Sequence, residues 1–175
     1  SAHEDKTVNI WRISDGKLLR TLPTLTGHKL EVNEVKFSPD GETIATVSRD
    51  KTVKIWNSNN GKLINTFEKH KGEVFAVSFS RDSQKIISGG ADRTLKIWNY
   101  KDGSLHKDIP ANGDTVSDVS LSPDGKIIAS SHVDKTVKLW DFNNGKLLNT
   151  LRGHTSYVYS TSFSPNGKLI ASAGD

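Results

Sequence analysis

Four tryptophans stand at positions 11, 56, 98 and 140, spaced 45, 42 and 42 residues apart. Each closes a matching phrase: Lys6-Thr-Val-Asn-Ile-Trp11, Lys51-Thr-Val-Lys-Ile-Trp56, Arg93-Thr-Leu-Lys-Ile-Trp98 and Lys135-Thr-Val-Lys-Leu-Trp140. Apolar and polar residues alternate within each phrase, which is the period of a strand with one buried face. Self-similarity at a fixed period of this size marks a repeated supersecondary unit, in which stacked neighbours share one core.

Turn chemistry divides each period. Ser38-Pro-Asp-Gly41, Ser122-Pro-Asp-Gly125 and Ser164-Pro-Asn-Gly167 are tight turns, and Ser80-Arg-Asp-Ser83 is their degenerate copy. Proline presets φ at the second position, and glycine takes a backbone conformation that other residues resist. A second turn follows each tryptophan, at Asp15-Gly16, Asn60-Gly61, Asp102-Gly103 and Asn144-Gly145. These are hairpin signals. One period therefore reads as four strands, in the second repeat about 31–38, 43–49, 52–57 and 62–67. No stretch has useful helical periodicity, so the chain is expected to be all antiparallel β.

Composition narrows the functional classes. With 175 residues, 25% of them charged and 34% apolar, the chain suits one globular domain. Its apolar runs are far shorter than the roughly 20 residues of a membrane-spanning helix. The start, Ser-Ala-His-Glu-Asp, lacks the pattern of a secretion signal. No cysteine is present, which excludes disulfides and thiolate metal sites, and no methionine, which suggests a segment excised or built to order. The missing cysteine and signal pattern give the expectation of a cytoplasmic location. Net charge is +4, and the cations recur with the repeat, as in Lys51/Lys54, Arg93/Lys96 and Lys135/Lys138. That spread reads as a solubilising surface and not as the basic stripe of a nucleic-acid binder.

A period of about 42 residues with Gly-His early and Trp-Asp late resembles the WD-repeat β-propeller family. Gly27-His28 and Gly153-His154 carry the first signature, and Trp140-Asp141 is the full WD dipeptide. Trp56-Asn57 and Trp98-Asn99 are common variants, and Trp11-Arg12 is weaker. The resemblance covers essentially the whole chain. It implies blades of four antiparallel strands, at about 27–67, 69–109 and 111–151, with half blades at 1–22 and 153–175. It also implies a polar network in each blade, joining a loop His, a Ser or Thr on the second strand, a turn Asp and the Trp indole. One set would be His28, Thr46 or Ser48, Asp50 and Trp56. Another would be His70, Ser88, Asp92 and Trp98. The physical logic is general: a buried carboxylate needs donors, and an indole N–H needs an acceptor. The next set, Asn112, Ser130, Asp134 and Trp140, would lack its imidazole and tie its blade least well; His132 lies nearby without an assigned place.

Repeated His, Ser and Asp supply the residue types of a catalytic triad. A triad needs an exposed hydroxyl, an oxyanion hole and a cleft. Repetition in every blade points to a structural job, so no enzyme activity is expected. No two histidines have ligand-like spacing beside a carboxylate, and no glycine loop cradles phosphate, so neither metal nor cofactor is expected.

The ends are in phase. Residues 1–5 read as the end of a second strand, followed by a third to Trp11 and a fourth near 17–22. Residues 157–175 read as a first strand and most of a second. The polar set is split likewise, with Asp5 and Trp11 at one end and His154 at the other. Such halves would pair as a clasp and remove exposed sheet edges. Four blades alone would make a very tight ring, and two chains exchanging halves would make eight, within the propeller range of about 4–8. A homodimer is therefore expected, against the alternative of a fragment of a longer chain.

In this family, loops on one face commonly carry partner contacts. By position that face holds Leu30, Asn33, Arg49, Phe75, Ala91, Ser117, Val133, Tyr157 and Tyr159. Phe75 and Tyr159 stand out, because their equivalents Asn33 and Ser117 are small and polar. Exposed aromatics and Arg are typical interface anchors. Glu34, Asp118 or Ser120 are expected near a central channel, in contact with water. The function expected is a non-catalytic scaffold for a protein or peptide partner, with no specific nucleic acid and no membrane. The alternatives are an engineered or fragmentary self-assembling module and a peptide- or modification-reading propeller.

Overall fold

The computed structural model describes residues 7–22 and 27–175, and the described residues contain strands and turns but no helix. Strands β1 (Val8–Trp11) and β2 (Leu18–Leu22) form a two-stranded sheet. Three four-stranded antiparallel blades follow. Blade one holds β3 (Val32–Phe37), β4 (Thr43–Ser48), β5 (Val53–Asn57) and β6 (Leu63–Phe67). Blade two holds β7 (Val74–Phe79), β8 (Lys85–Gly90), β9 (Thr94–Asn99) and β10 (Leu105–Pro110). Blade three holds β11 (Val116–Leu121), β12 (Ile127–His132), β13 (Thr136–Asp141) and β14 (Leu147–Arg152). A second two-stranded sheet, β15 (Val158–Phe163) and β16 (Ile170–Gly174), ends the chain. This is the expected all-β architecture of blades; the part of the first half blade read at 1–5, with Asp5, lies outside the described residues.

Registers repeat from blade to blade. Ile44 faces Trp56, Ile86 faces Trp98 and Ile128 faces Trp140 across the middle strand pair. The Ser-Pro-Asp-Gly turn works as its chemistry predicts. The Gly41 amide donates to the Ser38 carbonyl, and Asp40 Oδ1 accepts both the Ser38 hydroxyl and the Glu42 amide. Gly41 and Gly125 both have φ of 73° there. Ser83, in the degenerate copy, is held at φ 56°.

The core lies between blades. Ala45, Val47, Val53, Ile55 and Phe67 of blade one pack on Val74, Val77, Ile86 and Trp98 of blade two. Ile87, Leu95, Ile97 and Ile109 of blade two meet Val116, Ile128 and Trp140 of blade three in the same way. Both faces of a middle blade are covered, which is why β4 is buried along its whole length.

Three lysines depart from the surface reading. Lys54, Lys96 and Lys138 are buried at equivalent places on β5, β9 and β13. Their aliphatic stems pack in the sheet while their ammonium groups reach polar partners. Lys54 Nζ donates to Thr66 Oγ1, Lys96 Nζ pairs with Asp108 at 2.6 Å and Lys138 Nζ pairs with Asp134 at 2.6 Å.

Candidate functional site

The polar network is built strand by strand. In blade one, Trp56 Nε1–H donates to Thr46 Oγ1 at 2.8 Å. Thr46 Oγ1 lies 2.7 Å from His28 Nε2, and His28 Nδ1 lies 3.0 Å from Asp50 Oδ2. Asp50 also accepts the Lys29 amide and both the amide and the hydroxyl of Thr52. Burial pushes the Asp50 carboxyl up, but His28 and Thr52 outweigh it and hold the group far below the usual carboxylate range. Thr46, not Ser48, is the member of this set. Ser48 instead donates to the Leu30 carbonyl and accepts the Asp50 amide.

Blade two repeats the arrangement. Trp98 donates to Ser88 Oγ at 2.8 Å, Ser88 meets His70 Nε2 at 2.7 Å, and His70 Nδ1 lies 2.8 Å from Asp92. Burial opposes ionisation of Asp92, yet the His70 contact brings it down to about 2. Both hydroxyls are fully buried and saturated by neighbours. That is scaffold geometry, without an open nucleophile.

Blade three fills the imidazole place in another way. Asn112 is exposed, with φ of 53°, and is not part of the set. His132 supplies the ring from inside β12: its Nε2 lies 2.8 Å from Ser130 Oγ, which takes the Trp140 indole N–H at 2.8 Å. Asp134 is not joined to that ring by a hydrogen bond. It accepts the Thr136 amide and hydroxyl and pairs with Lys138. His132 Nδ1 is buried with no hydrogen-bond partner among the described residues. Burial, helped by the Lys138 charge, pushes His132 down to about 4.

The proposed partner face owes its form to a bulge. In each pairing of first and second strands the register shifts, between Val32 and Glu34, Val74 and Ala76, Val116 and Asp118, and Val158 and Ser160. The skipped residues are Asn33, Phe75, Ser117 and Tyr159. A bulge re-aims the side chain that it leaves unpaired. All four side chains meet in one cavity of about 490 Å³, together with Ala91, Thr115 and Val133. Tyr159 is 52% exposed and donates to Asp175 at 2.8 Å. Leu30, Arg49 and Tyr157 are exposed but lie outside this cavity.

Deeper along the same inner strands lies a polar cavity of about 470 Å³. Its carboxylates bind protein as well as facing that space. Glu34 accepts the Val77 amide of the next blade at 2.7 Å. Asp118 accepts the Thr161 amide at 2.8 Å and the Ser160 hydroxyl at 3.0 Å. They staple first strand to first strand. Burial raises Glu34 above the usual carboxylate range despite its contact with Lys36. No cluster of three or more potential metal ligands occurs among the described residues.

Comparison with known families agrees with this geometry. A model described as the first β-propeller of WD repeat-containing protein 75 matches residues 26–135, and one for a WD domain, G-beta repeat, matches residues 145–175. The chain belongs to the WD-repeat β-propeller family. No individually curated protein matches it. WD-repeat propellers typically mediate protein–protein interaction, and the His–Ser/Thr–Trp chains here are this propeller's internal ties.

Proposed function

We propose that this propeller is a non-catalytic protein-interaction scaffold that presents its partner site at the cavity of the four bulged residues. The observation that carries the reading is the convergence of Phe75 and Tyr159 on that cavity, beside the small side chains of Asn33, Ala91 and Ser117. Rigid strands hold two aromatic anchors around a recess, which is how interface hot spots are built. The two half blades also support self-association. Each is a two-stranded sheet, and the outer edge of β16 carries no strand among the described residues. Open edges of this kind favour pairing with another strand.

The test is affinity capture with wild-type protein and with Phe75→Ala/Tyr159→Ala, after checking that both give the same β-sheet spectrum. Partners bound by the wild type are expected to be lost from the double variant. Identical capture by both proteins would sink this face as the site. A peptide-reading form of the role draws on the same two rings. Glu34 and Asp118 lie beyond them but are engaged with neighbouring blades, so ring contacts would have to supply the affinity.

A further inference from the structure

The chain holds four Asn-Gly pairs, at Asn60-Gly61, Asn112-Gly113, Asn144-Gly145 and Asn166-Gly167. Such a pair carries its own reaction. The glycine amide nitrogen can attack the side-chain carbonyl carbon of the preceding asparagine, and glycine has no Cβ to obstruct the approach. How the fold holds these two groups decides whether they meet.

Three of the pairs sit in closed turns. Asn60 Oδ1 accepts the Lys62 amide at 2.9 Å, while the Gly61 amide donates to the Asn57 carbonyl at 2.8 Å. Asn144 Oδ1 accepts the Lys146 amide at 2.8 Å, and the Gly145 amide donates to the Asp141 carbonyl at 2.8 Å. Asn166 Oδ1 accepts the Ser164 hydroxyl at 2.8 Å and the Lys168 amide at 3.0 Å, and the Gly167 amide donates to the Ser164 carbonyl at 2.8 Å. In each turn the asparagine side chain bonds the backbone two residues on, and the attacking nitrogen already donates elsewhere.

Asn112-Gly113 is the exception. Both residues are exposed, and among the described residues neither the Asn112 side chain nor the Gly113 amide makes a hydrogen bond. The space that a Gly113 side chain would take is empty to 4 Å. The repeat explains this slack. Asn112 stands where His28 and His70 stand in the other blades, and those rings tie their loops to Asp50 and Asp92. Blade three draws its ring from His132 in β12, so its loop has no such tie.

We propose that Asn112 is the site at which this folded chain deamidates, a covalent modification that needs only water. The Gly113 nitrogen bonds to Asn112 Cγ, the Cγ–Nδ2 bond breaks, and ammonia leaves with the proton that the Gly113 nitrogen gives up. Water then opens the five-membered imide at one of its two carbonyls. One opening leaves aspartate at position 112. The other leaves isoaspartate, whose backbone runs through the former side chain and is longer by a methylene. Either product adds a negative charge to a chain of net charge +4. The longer backbone falls between Ala111 and Val116, both fully buried, and beside Thr115, which lines the cavity of the bulged residues.

The test follows the folded protein through incubation at mildly alkaline pH, with peptide mass spectrometry of samples taken over time. The amide-to-acid mass gain should appear at Asn112 at least about tenfold faster than at Asn60, Asn144 or Asn166, because each of those must first break two or more hydrogen bonds. In guanidinium, where no turn survives, the four rates should converge. Asn112→Gln keeps the fold, since the side chain it replaces makes no hydrogen bond, and should remove the first acidic band that ageing produces on isoelectric focusing. Equal rates at the four pairs in folded protein, or a faster rate at another pair, overturn the proposal. A lead at Asn112 that persists unchanged in guanidinium overturns it too, since sequence and not fold would then choose the site. So does an Asn112→Gln variant that forms the acidic band at the wild-type rate.

Discussion

His132 and Ser130 lie two residues apart on β12, and the ring and hydroxyl meet at 2.8 Å. Alternate residues of a strand share a face, so the pair needs no loop to bring it together. In the other two blades the ring comes from 18 residues upstream. The substitution leaves a mark in acid. Folded His132 is held at about 4, against 6.5 for the free side chain, because burial disfavours its charged form. The unfolded chain accepts a proton that the folded one refuses. Stability from this site is therefore complete above pH 6.5 and falls as pH drops toward 4. By pH 4.5 the loss is about 2–3 kcal/mol. Urea midpoints at pH 7.5 and 4.5 should show it, and His132→Gln should remove most of the difference. An unchanged pH dependence in that variant would contradict the assignment. Asp92, held near 2, loses its contribution only as pH falls below 3.8, in a separate window.

Trp98 stacks on Phe67 at 5.0 Å and ties to Ser88. Trp98→Ala is expected to cost roughly 3–5 kcal/mol, as for a buried large aromatic. Ser88→Ala strands both the indole N–H and His70 and is expected to cost about 1–3 kcal/mol. Chemical denaturation measures both. A shift well under 1 kcal/mol for Trp98→Ala would contradict its place in the core.

Ser83 occupies a left-handed position that glycine fills in sister turns. An L-residue there is disfavoured by roughly 1–2 kcal/mol, and glycine gives back part of that through its larger entropy loss. Ser83→Gly should therefore raise stability by about 0.5–1 kcal/mol, read as a higher melting temperature. The Ser83 side chain is buried, so a fall would mean that its packing outweighs the strain.

Asp118 holds the Thr161 amide of the following sheet. Asp118→Ala leaves that amide without its acceptor and should cost about 1–3 kcal/mol. Amide exchange at Thr161 should quicken selectively, while exchange within blade one stays as in the wild type. Uniform quickening throughout would mean that the carboxylate has no local stapling role.

The features that declare themselves along the chain are those set by local chemistry. The Trp phrases, the Ser-Pro-Asp-Gly turns and the spacing were enough for the blades, because alternation and turn preference act over a few residues. The roles of Lys54, Lys96 and Lys138 were hidden, since burial of a charged residue depends on Thr66, Asp108 and Asp134 at short range in space. Glu34 and Asp118 were legible as inner-strand residues but not as staples, because their partners lie 43 residues away in the next sheet. Repeat position points to Asn112; the structure uses His132, whose proximity to Ser130 is a plain two-residue spacing on a strand. The bulge that groups Asn33, Phe75, Ser117 and Tyr159 has no residue signature of its own.

Each sheet lends its outermost strand to the tryptophan of the next, as Phe67 does for Trp98 and Ile109 for Trp140. The chain thus behaves as a one-dimensional array in which energy is shared only between neighbours. Damage in one blade propagates one step and then fades. Loss of Phe67 in blade one is therefore felt in blade two, whose Trp98 stacks on that ring, before it reaches the Ile109–Trp140 seam with blade three.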